Sequence, residues 1–262
     1  MQNRPAYDPV SDGFSRRDSA VRYTEAPPPA HLADVAHVFW ELRTQVPLEQ
    51  DFLYHALPDA CVNLLLNLRE TAIAGVTALH TEATVLNLGT AFQYVGVQLF
   101  PGVWRGGRDA LIDRYVGSPY RGSLPLVETA ESLVGLDFPA MAARLTTLVE
   151  RLRSQGLVRA NPLTAGILGQ LDALRSVADM AALAGCSARQ LQRRLRRDTG
   201  FAPHDLLKVL RLQQSFRGHH LDLFADQSQY IHAFRRVIGL TPGEYRRRYG
   251  VRSSQDGAPR AA

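Results

Sequence analysis

The segment that begins at Ser176 constrains the fold of this chain more than any other. It reads S-V-A-D-M-A-A-L-A-G-C-S-A-R-Q-L-Q-R-R-L and predicts two short helices joined by a tight turn. Ser176 and Ser187 are residues of a type that caps helix N-termini. Gly185 can take the positive φ at which the first helix ends and the chain turns. Leu191 and Leu195 lie four residues apart and give the second helix one apolar face. The segment is therefore predicted to form a helix-turn-helix unit.

The second helix of this unit has a hydrophilic face opposite its two leucines. Four arginine and glutamine side chains point in that direction: Arg189, Gln192, Arg193 and Arg196. The second helix of a helix-turn-helix unit lies in the major groove of DNA and contacts base edges with side chains of these types. The pattern therefore predicts double-stranded DNA as a partner.

The charges are distributed unevenly along the chain. Residues 172–252 contain 15 Lys and Arg against 7 Asp and Glu, a balance of +8, whereas residues 1–171 contain 14 against 17, a balance of −3. The remaining tail adds one of each sign, which gives the overall +5. A basic module joined to a mildly acidic one is typical of a protein in which one half binds the phosphate backbone of a nucleic acid. The alternative is that the arginine-rich helices are solvated faces, and that arginine usage reflects genome composition.

Composition limits the remaining classes. At 262 residues and 45% hydrophobic content, the chain can bury one or two cores. Cys61 and Cys186 are too few for a disulfide framework. No apolar run is long enough to span a bilayer, and the first residues are polar and interrupted by proline. We therefore expect a soluble cytoplasmic protein with no membrane partner and no cofactor.

The first half of the chain contains short β-type runs separated by turn residues. They lie at residues 52–57, 61–68, 84–88 and 94–100. Several strands at this interval predict a small antiparallel barrel or sandwich. Residues 1–26 are polar, mixed in charge and without periodicity, which predicts a disordered tail.

Residues 126–154 return to helical spacing, interrupted by Gly135 and Pro139. We predict two helices there, the second at about residues 139–154. The second helix has an apolar stripe: Met141, Leu145, Leu148 and Leu152. The stripe has two candidate uses, packing on the β-rich domain or pairing with the same helix of another subunit in a two-fold dimer.

These patterns predict five consecutive segments. They are a disordered tail at 1–26, a β-rich domain at 27–125, a helical connection and linker at 126–162, a helix-turn-helix DNA-binding domain at 163–250 and a disordered tail at 251–262.

The C-terminal segment resembles the DNA-binding domain of the AraC/XylS family of bacterial transcription regulators. The first unit is followed by Gly200-Phe201-Ala202-Pro203, which in that family leads into a long connecting helix, here Pro203 to about Phe216. A second recognition segment reads F-A-D-Q-S-Q-Y-I-H-A-F-R-R-V-I-G-L-T-P-G-E-Y-R. Near its end, Thr241, Pro242 and Glu244 are arranged as a capped helix start. The resemblance covers about eighty residues and implies a transcription regulator with two helix-turn-helix units in tandem.

One departure from the family concerns the second unit. Between Arg211 and Asp226 the chain is too short for the complete supporting helix that normally precedes the second reading helix. The second unit is therefore predicted to be shortened and to contribute less to DNA affinity than the first. Exchanging Gln227 and Gln229 for alanine is expected to cost less affinity than exchanging the arginine and glutamine at 189 and 192.

The resemblance implies a role for each exposed side chain of the two reading helices. Arg189, Gln192 and Arg193 take positions that reach base edges, where arginine fits guanine and glutamine fits adenine. Arg196 and Arg197 lie further along and take positions near phosphates. The second unit presents Gln227, Gln229 and His232 in the same way.

The N-terminal part resembles the cupin-like domain that precedes the DNA-binding domain in some AraC-type regulators. Three stretches carry this likeness: H-L-A-D-V-A-H-V-F-W-E, L-P-D-A-C-V-N-L-L-L-N-L and V-G-V-Q-L-F-P-G. The resemblance implies a sensor or assembly domain, and with it a homodimer, a small-molecule effector and RNA polymerase as partners. The predicted fold class is α+β, with a cupin-like barrel followed by an all-α tandem helix-turn-helix domain.

Two alternative functions remain open at the level of sequence. A cupin-type barrel can hold a catalytic metal, and its candidate ligands here are His55, His80 and Glu82, without an H-x-H pair. We therefore expect no enzyme. The shortened second unit favours the other alternative, an interaction or anti-regulator protein with impaired DNA binding.

Overall fold

The computed structural model describes residues 5, 7–9, 20–77, 80–106, 111–112, 119–216 and 226–249. A sheet-forming N-terminal part is followed by a helical C-terminal part, which confirms the α+β class. The tail predicted at 251–262 lies outside the described residues, as does most of the segment before residue 20.

The strands of the described residues form two sheets. They are β1 (Val21–Ala26), β2 (Ala36–Thr44), β3 (Leu53–Ala56), β4 (Val62–Asn67), β5 (Ala74–Thr77), β6 (Thr84–Asn87), β7 (Gln93–Leu99) and β8 (Leu111–Ile112). The large sheet has the order β1-β2-β7-β4-β5-β8 and is antiparallel except at β5 and β8. The small sheet pairs β3 with β6, antiparallel.

The large sheet is covered on both faces, which explains the apolar run in β4. Leu64 and Leu66 point to one face and join the main core, which also contains apolar side chains of the following helices. Leu65 points to the other face and joins a cluster with side chains of the small sheet. A strand buried on both faces is apolar at successive positions rather than at alternate ones.

Strand β1 corrects the prediction of a disordered tail over residues 1–26. Val21–Ala26 pairs with β2 in antiparallel register, with Val21 opposite Thr44. Tyr7 is also buried, and its hydroxyl donates to the carbonyl of Asp59 at 2.7 Å. β1 lies at the edge of the large sheet, where charged and polar side chains are common, so its mixed sequence contains no apolar run.

The helices of the described residues follow the sheets in chain order. They are α1 (Leu126–Leu133), α2 (Phe138–Ser154), α3 (Pro162–Gly169), α4 (Val177–Leu183), α5 (Ala188–Thr199), α6 (Pro203–Phe216), α7 (Gln227–Ile238) and α8 (Pro242–Tyr249), with short 3-10 turns at Ala30–Leu32 and Leu171–Ala173. No helix among these described residues has the length and apolar character needed to cross a membrane.

The apolar stripe of α2 is used within the chain's own core. Met141, Leu145, Leu148 and Leu152 are all buried among residues of the large sheet and α1. The alternative in which this stripe pairs with another subunit is therefore wrong, since the stripe is not on the surface. The homodimer itself stays a prediction.

Candidate nucleic-acid interface

Helix α5 begins and ends at well-defined caps. The Ser187 hydroxyl accepts from the backbone N–H of Gln190 at 3.3 Å, and the Gln190 side chain accepts from the backbone N–H of Ser187 at 2.9 Å. This reciprocal pair is a capping box, which satisfies two N–H groups that a helix start leaves free. Gly200, at φ +77°, ends the helix in the left-handed conformation. The caps fix where the exposed face of α5 starts and stops.

The inner face of α5 packs into the main core. Leu191 and Leu195 are fully buried, in the same core cluster as residues of α4 and α6. Ser176 caps α4 by accepting from the Asp179 N–H at 3.1 Å, and Gly185 takes φ +57° in the turn between the helices. The cap, turn and apolar positions predicted from the sequence are thus confirmed for this unit.

The outer face of α5 presents the predicted side chains to solvent. Arg189, Gln192, Arg193 and Arg196 are exposed on this one helix, while Arg194 is half-buried. The arrangement places four donor-rich side chains on the exposed face of one helix, as an element that enters the major groove requires.

Arg197 differs from its neighbours because it is already paired. Its Nε lies 2.7 Å from Oδ1 of Asp198, although the arginine side chain remains 71% exposed. Partial burial raises the pKa of Asp198, but the hydrogen bond from Arg197 and the charge of Arg105 outweigh burial and lower that pKa. The carboxylate is therefore ionised at neutral pH. Its ion pairs with Arg197 and Arg105 are lost only when the pH falls below the lowered pKa. No pattern in the sequence indicates this contact.

Asp198 also joins α5 to the N-terminal part of the chain. Its carboxylate lies 3.0 Å from Arg105 Nη1 and accepts from Asn161 Nδ2 at 3.1 Å. Asn161 caps α3 and donates to the carbonyl of Gly102 at 3.0 Å. A side chain at Gly102 would place its Cβ 2.9 Å from Asn161 Nδ2, and φ there is +73°. Glycine is therefore required where the two parts of the chain meet.

Helix α7 has the inward and outward faces that its sequence predicts. Asp226 caps it by accepting from the Gln229 N–H at 2.8 Å. Its inward side chains at 230, 234 and 237 are buried, whereas three others are exposed: Gln227, Gln229 and His232. The shortened supporting helix was predicted between α6 and α7, where residues 217–225 lie outside the described residues.

Helix α8 confirms the predicted capping of the last helix. The Thr241 hydroxyl accepts from the Glu244 N–H at 3.3 Å, and Glu244 Oε2 accepts from the Thr241 N–H at 2.7 Å. Hydrogen bonds from the Thr241 side chain and backbone lower the pKa of Glu244. This cap orients α8 against α7.

A cavity lies between the two sheets. Its wall includes four aromatic side chains, those of Tyr23, Trp40, Tyr54 and Tyr94. Three polar side chains also line it: Asp59, Asn63 and Gln98. Gln98 Nε2 donates to Asp59 Oδ2 at 2.8 Å, which fixes part of the polar group. No pattern in the sequence indicates this cavity, because its lining comes from strands far apart in the chain.

The residues considered for a metal enzyme do not form one site. His55 is buried on the face of β3 opposite the cavity, beside the ring of Tyr245. His80 lines the cavity, and Glu82 is exposed. Within the described residues, no three His, Cys, Asp or Glu side chains are placed to hold a metal ion.

Comparisons with known proteins identify the N-terminal part. Residues 24–106 match a family model described as a domain of unknown function, DUF6597. No curated protein matches the sequence. Among solved structures, an apo ToxT variant from Vibrio cholerae strain SCE256 aligns with 9% identity and a TM-score of 0.39, over 87% of this chain and 97% of that one. The matched domain is known as an N-terminal domain of AraC-type regulators, and in this chain a helical region that contains a helix-turn-helix unit follows it.

Proposed function

We propose that the chain is a DNA-binding transcription regulator that reads a promoter site through α5, with α7 as a second reading helix. The observation that carries the proposal is the exposed row of arginine and glutamine side chains on a capped, firmly packed helix of a helix-turn-helix unit. The N-terminal domain match and the basic charge of the C-terminal part support it. The proposed activity is binding rather than catalysis.

The test of this proposal is selection of DNA by the full chain from a random duplex library. We expect enrichment of one motif with two half-sites about 10 base pairs apart, the spacing of successive major-groove faces. Recovery of no shared motif would contradict the proposal. That result would favour the alternative, an interaction or anti-regulator protein with impaired DNA binding.

Within this proposal, Arg189, Gln192 and Arg193 contact base edges, because their fork-like donors fit guanine and adenine in the major groove. In α7 the corresponding contacts come from Gln227 and Gln229, with His232 near them. Neutral amides form weaker bonds than a charged guanidinium. We therefore still predict that alanine at 227 and 229 lowers DNA affinity less than alanine at 189 and 192.

Salt dependence distinguishes the two arginines assigned to phosphate. Arg196→Ala is expected to reduce the slope of log affinity against log salt by about one unit, because one fewer counterion is released. Arg197→Ala should reduce the slope less, because Asp198 already offsets that charge. Arg144→Ala, on the exposed face of α2, is the matched control. DNA titrations at several salt concentrations measure the slope. An unchanged slope for Arg196→Ala would show that this side chain is solvated and does not contact phosphate.

We further propose that the cavity between the sheets takes a small-molecule effector. An apolar, aromatic wall with a few fixed polar groups is typical of sites for such ligands. Native mass spectrometry of the purified chain is expected to show added mass from a bound molecule. Leu86→Trp, which fills the cavity from β6, should remove that mass, whereas Val85→Trp on the exposed face of the same strand should keep it. The same bound mass in both variants would contradict the assignment of the ligand to this cavity.

A further inference from the structure

We propose that the small sheet of the N-terminal domain supports α7, so that Leu57 and its neighbours are positioning residues of the second reading helix. The inference rests on the proposed DNA-binding function. It assigns to the N-terminal domain a structural part in reading DNA, in addition to any sensing of a ligand.

The inward face of α7 packs on residues of the N-terminal domain. One buried cluster contains Leu57, at the end of β3, together with Tyr230, Phe234 and Val237 of α7. Leu57 is only 6% exposed. The backbone N–H of Ala83, directly before β6, donates to the carbonyl of Val237 at 2.8 Å. The same end of the small sheet therefore makes both an apolar contact and a backbone hydrogen bond with α7.

The neighbours of α7 are tied to the same part of the domain. The ring of Tyr245, from α8, lies 5.9 Å from the ring of His55 and 5.6 Å from that of Phe234. Both Tyr245 and His55 are buried. From α6, Gln213 Nε2 donates to the carbonyl of Pro58 at 2.8 Å. Three helices thus meet the small sheet and the loop that follows β3.

Among the described residues, these contacts lie behind α7, opposite its exposed face. A reading helix enters the groove at an angle set by what packs behind it. Behind α5 are α4 and α6, through Leu191 and Leu195. Behind α7, among the described residues, are the end of α6, α8 and the N-terminal domain. Displacement of the small sheet should therefore alter the position of α7 without altering the inner packing of α5.

The same loop also borders the cavity between the sheets. Leu57 and Pro58 line that cavity, and both contact the helical region on their other side. These two adjacent residues therefore lie between the cavity and the helical region.

The test uses the full chain, the duplex obtained by selection and a second duplex in which one half-site is scrambled. Footprinting of the Gln227→Ala/Gln229→Ala variant first identifies the half-site that α7 contacts. Leu57→Ala is then expected to lose protection at that half-site alone. Its affinity for the intact duplex should fall by about as much as for the double glutamine variant. Its affinity for a duplex that keeps only the α5 half-site should equal that of the wild type.

A control and a second variant separate positioning from general stability. Leu53→Ala removes an exposed leucine from the same strand and should leave both half-sites protected. Ala83→Pro removes the N–H that bonds to Val237 and should reproduce the loss at the α7 half-site. Equal loss at both half-sites, or full protection at both, would overturn the proposal. If the wild type itself selects no motif, the proposed function fails and this inference fails with it.

Discussion

Replacing Leu195 by alanine is expected to lower the free energy of unfolding by about 2–5 kcal/mol. The side chain is fully buried and, with Leu191, anchors the inner face of α5 in the main core. Truncation removes apolar contacts and leaves a cavity that close neighbours fill only in part. Urea denaturation followed by circular dichroism measures the change.

Leu53→Ala provides the matched control, since the same atoms are removed from a side chain that is 51% exposed. It should change the free energy of unfolding by no more than about 0.5 kcal/mol. If Leu195→Ala were equally mild, α5 would not be held by the core in the way described, and the argument for a fixed reading helix would be wrong.

Replacing Arg193 by alanine should cost about 1–3 kcal/mol of binding free energy on the selected duplex and relax preference at one base pair. Arg193 lies near the middle of α5, and its side chain is exposed, whereas Leu191 and Leu195 are buried. The free energy of unfolding should therefore stay close to that of the wild type. Fluorescence titrations against the selected duplex and its single-base variants measure both affinity and preference.

Arg144→Ala, an equal change of charge on the exposed side of α2, should leave binding as it is. An Arg193→Ala protein with wild-type affinity and preference would contradict the assignment of base contact. A uniform loss on all duplexes would instead assign Arg193 to phosphate, because phosphate contacts do not depend on sequence.

The first helix-turn-helix unit could be predicted from the sequence because its signals are local. The serine at 187, the glycine at 185 and the leucines at 191 and 195 lie within a short stretch, and each has one physical role. The central strands β4 and β7 were also predictable, since both are long apolar runs. Strand β5 (A-G-V-T) has four residues and begins with alanine and glycine, which are depleted in strands, so it gives no strand signal.

The contacts that join the two parts of the chain could not be predicted from the sequence. Arg105 and Asp198, or Ala83 and Val237, are far apart in sequence and show no periodic relation. The pairing of Arg197 with its neighbour Asp198 was likewise hidden, since burial of the carboxylate depends on the tertiary fold. The support of α7 by the small sheet is a tertiary feature of the same kind.

The central claim is that α5 gives the chain sequence-specific affinity for DNA. Its most direct test is a pair of titrations of the full chain at one salt concentration, with the selected duplex and a scrambled duplex of equal length. We expect the chain to bind the selected duplex roughly a thousandfold more tightly or better than the scrambled one, the usual margin for specific recognition. Equal affinity for the two duplexes would contradict it.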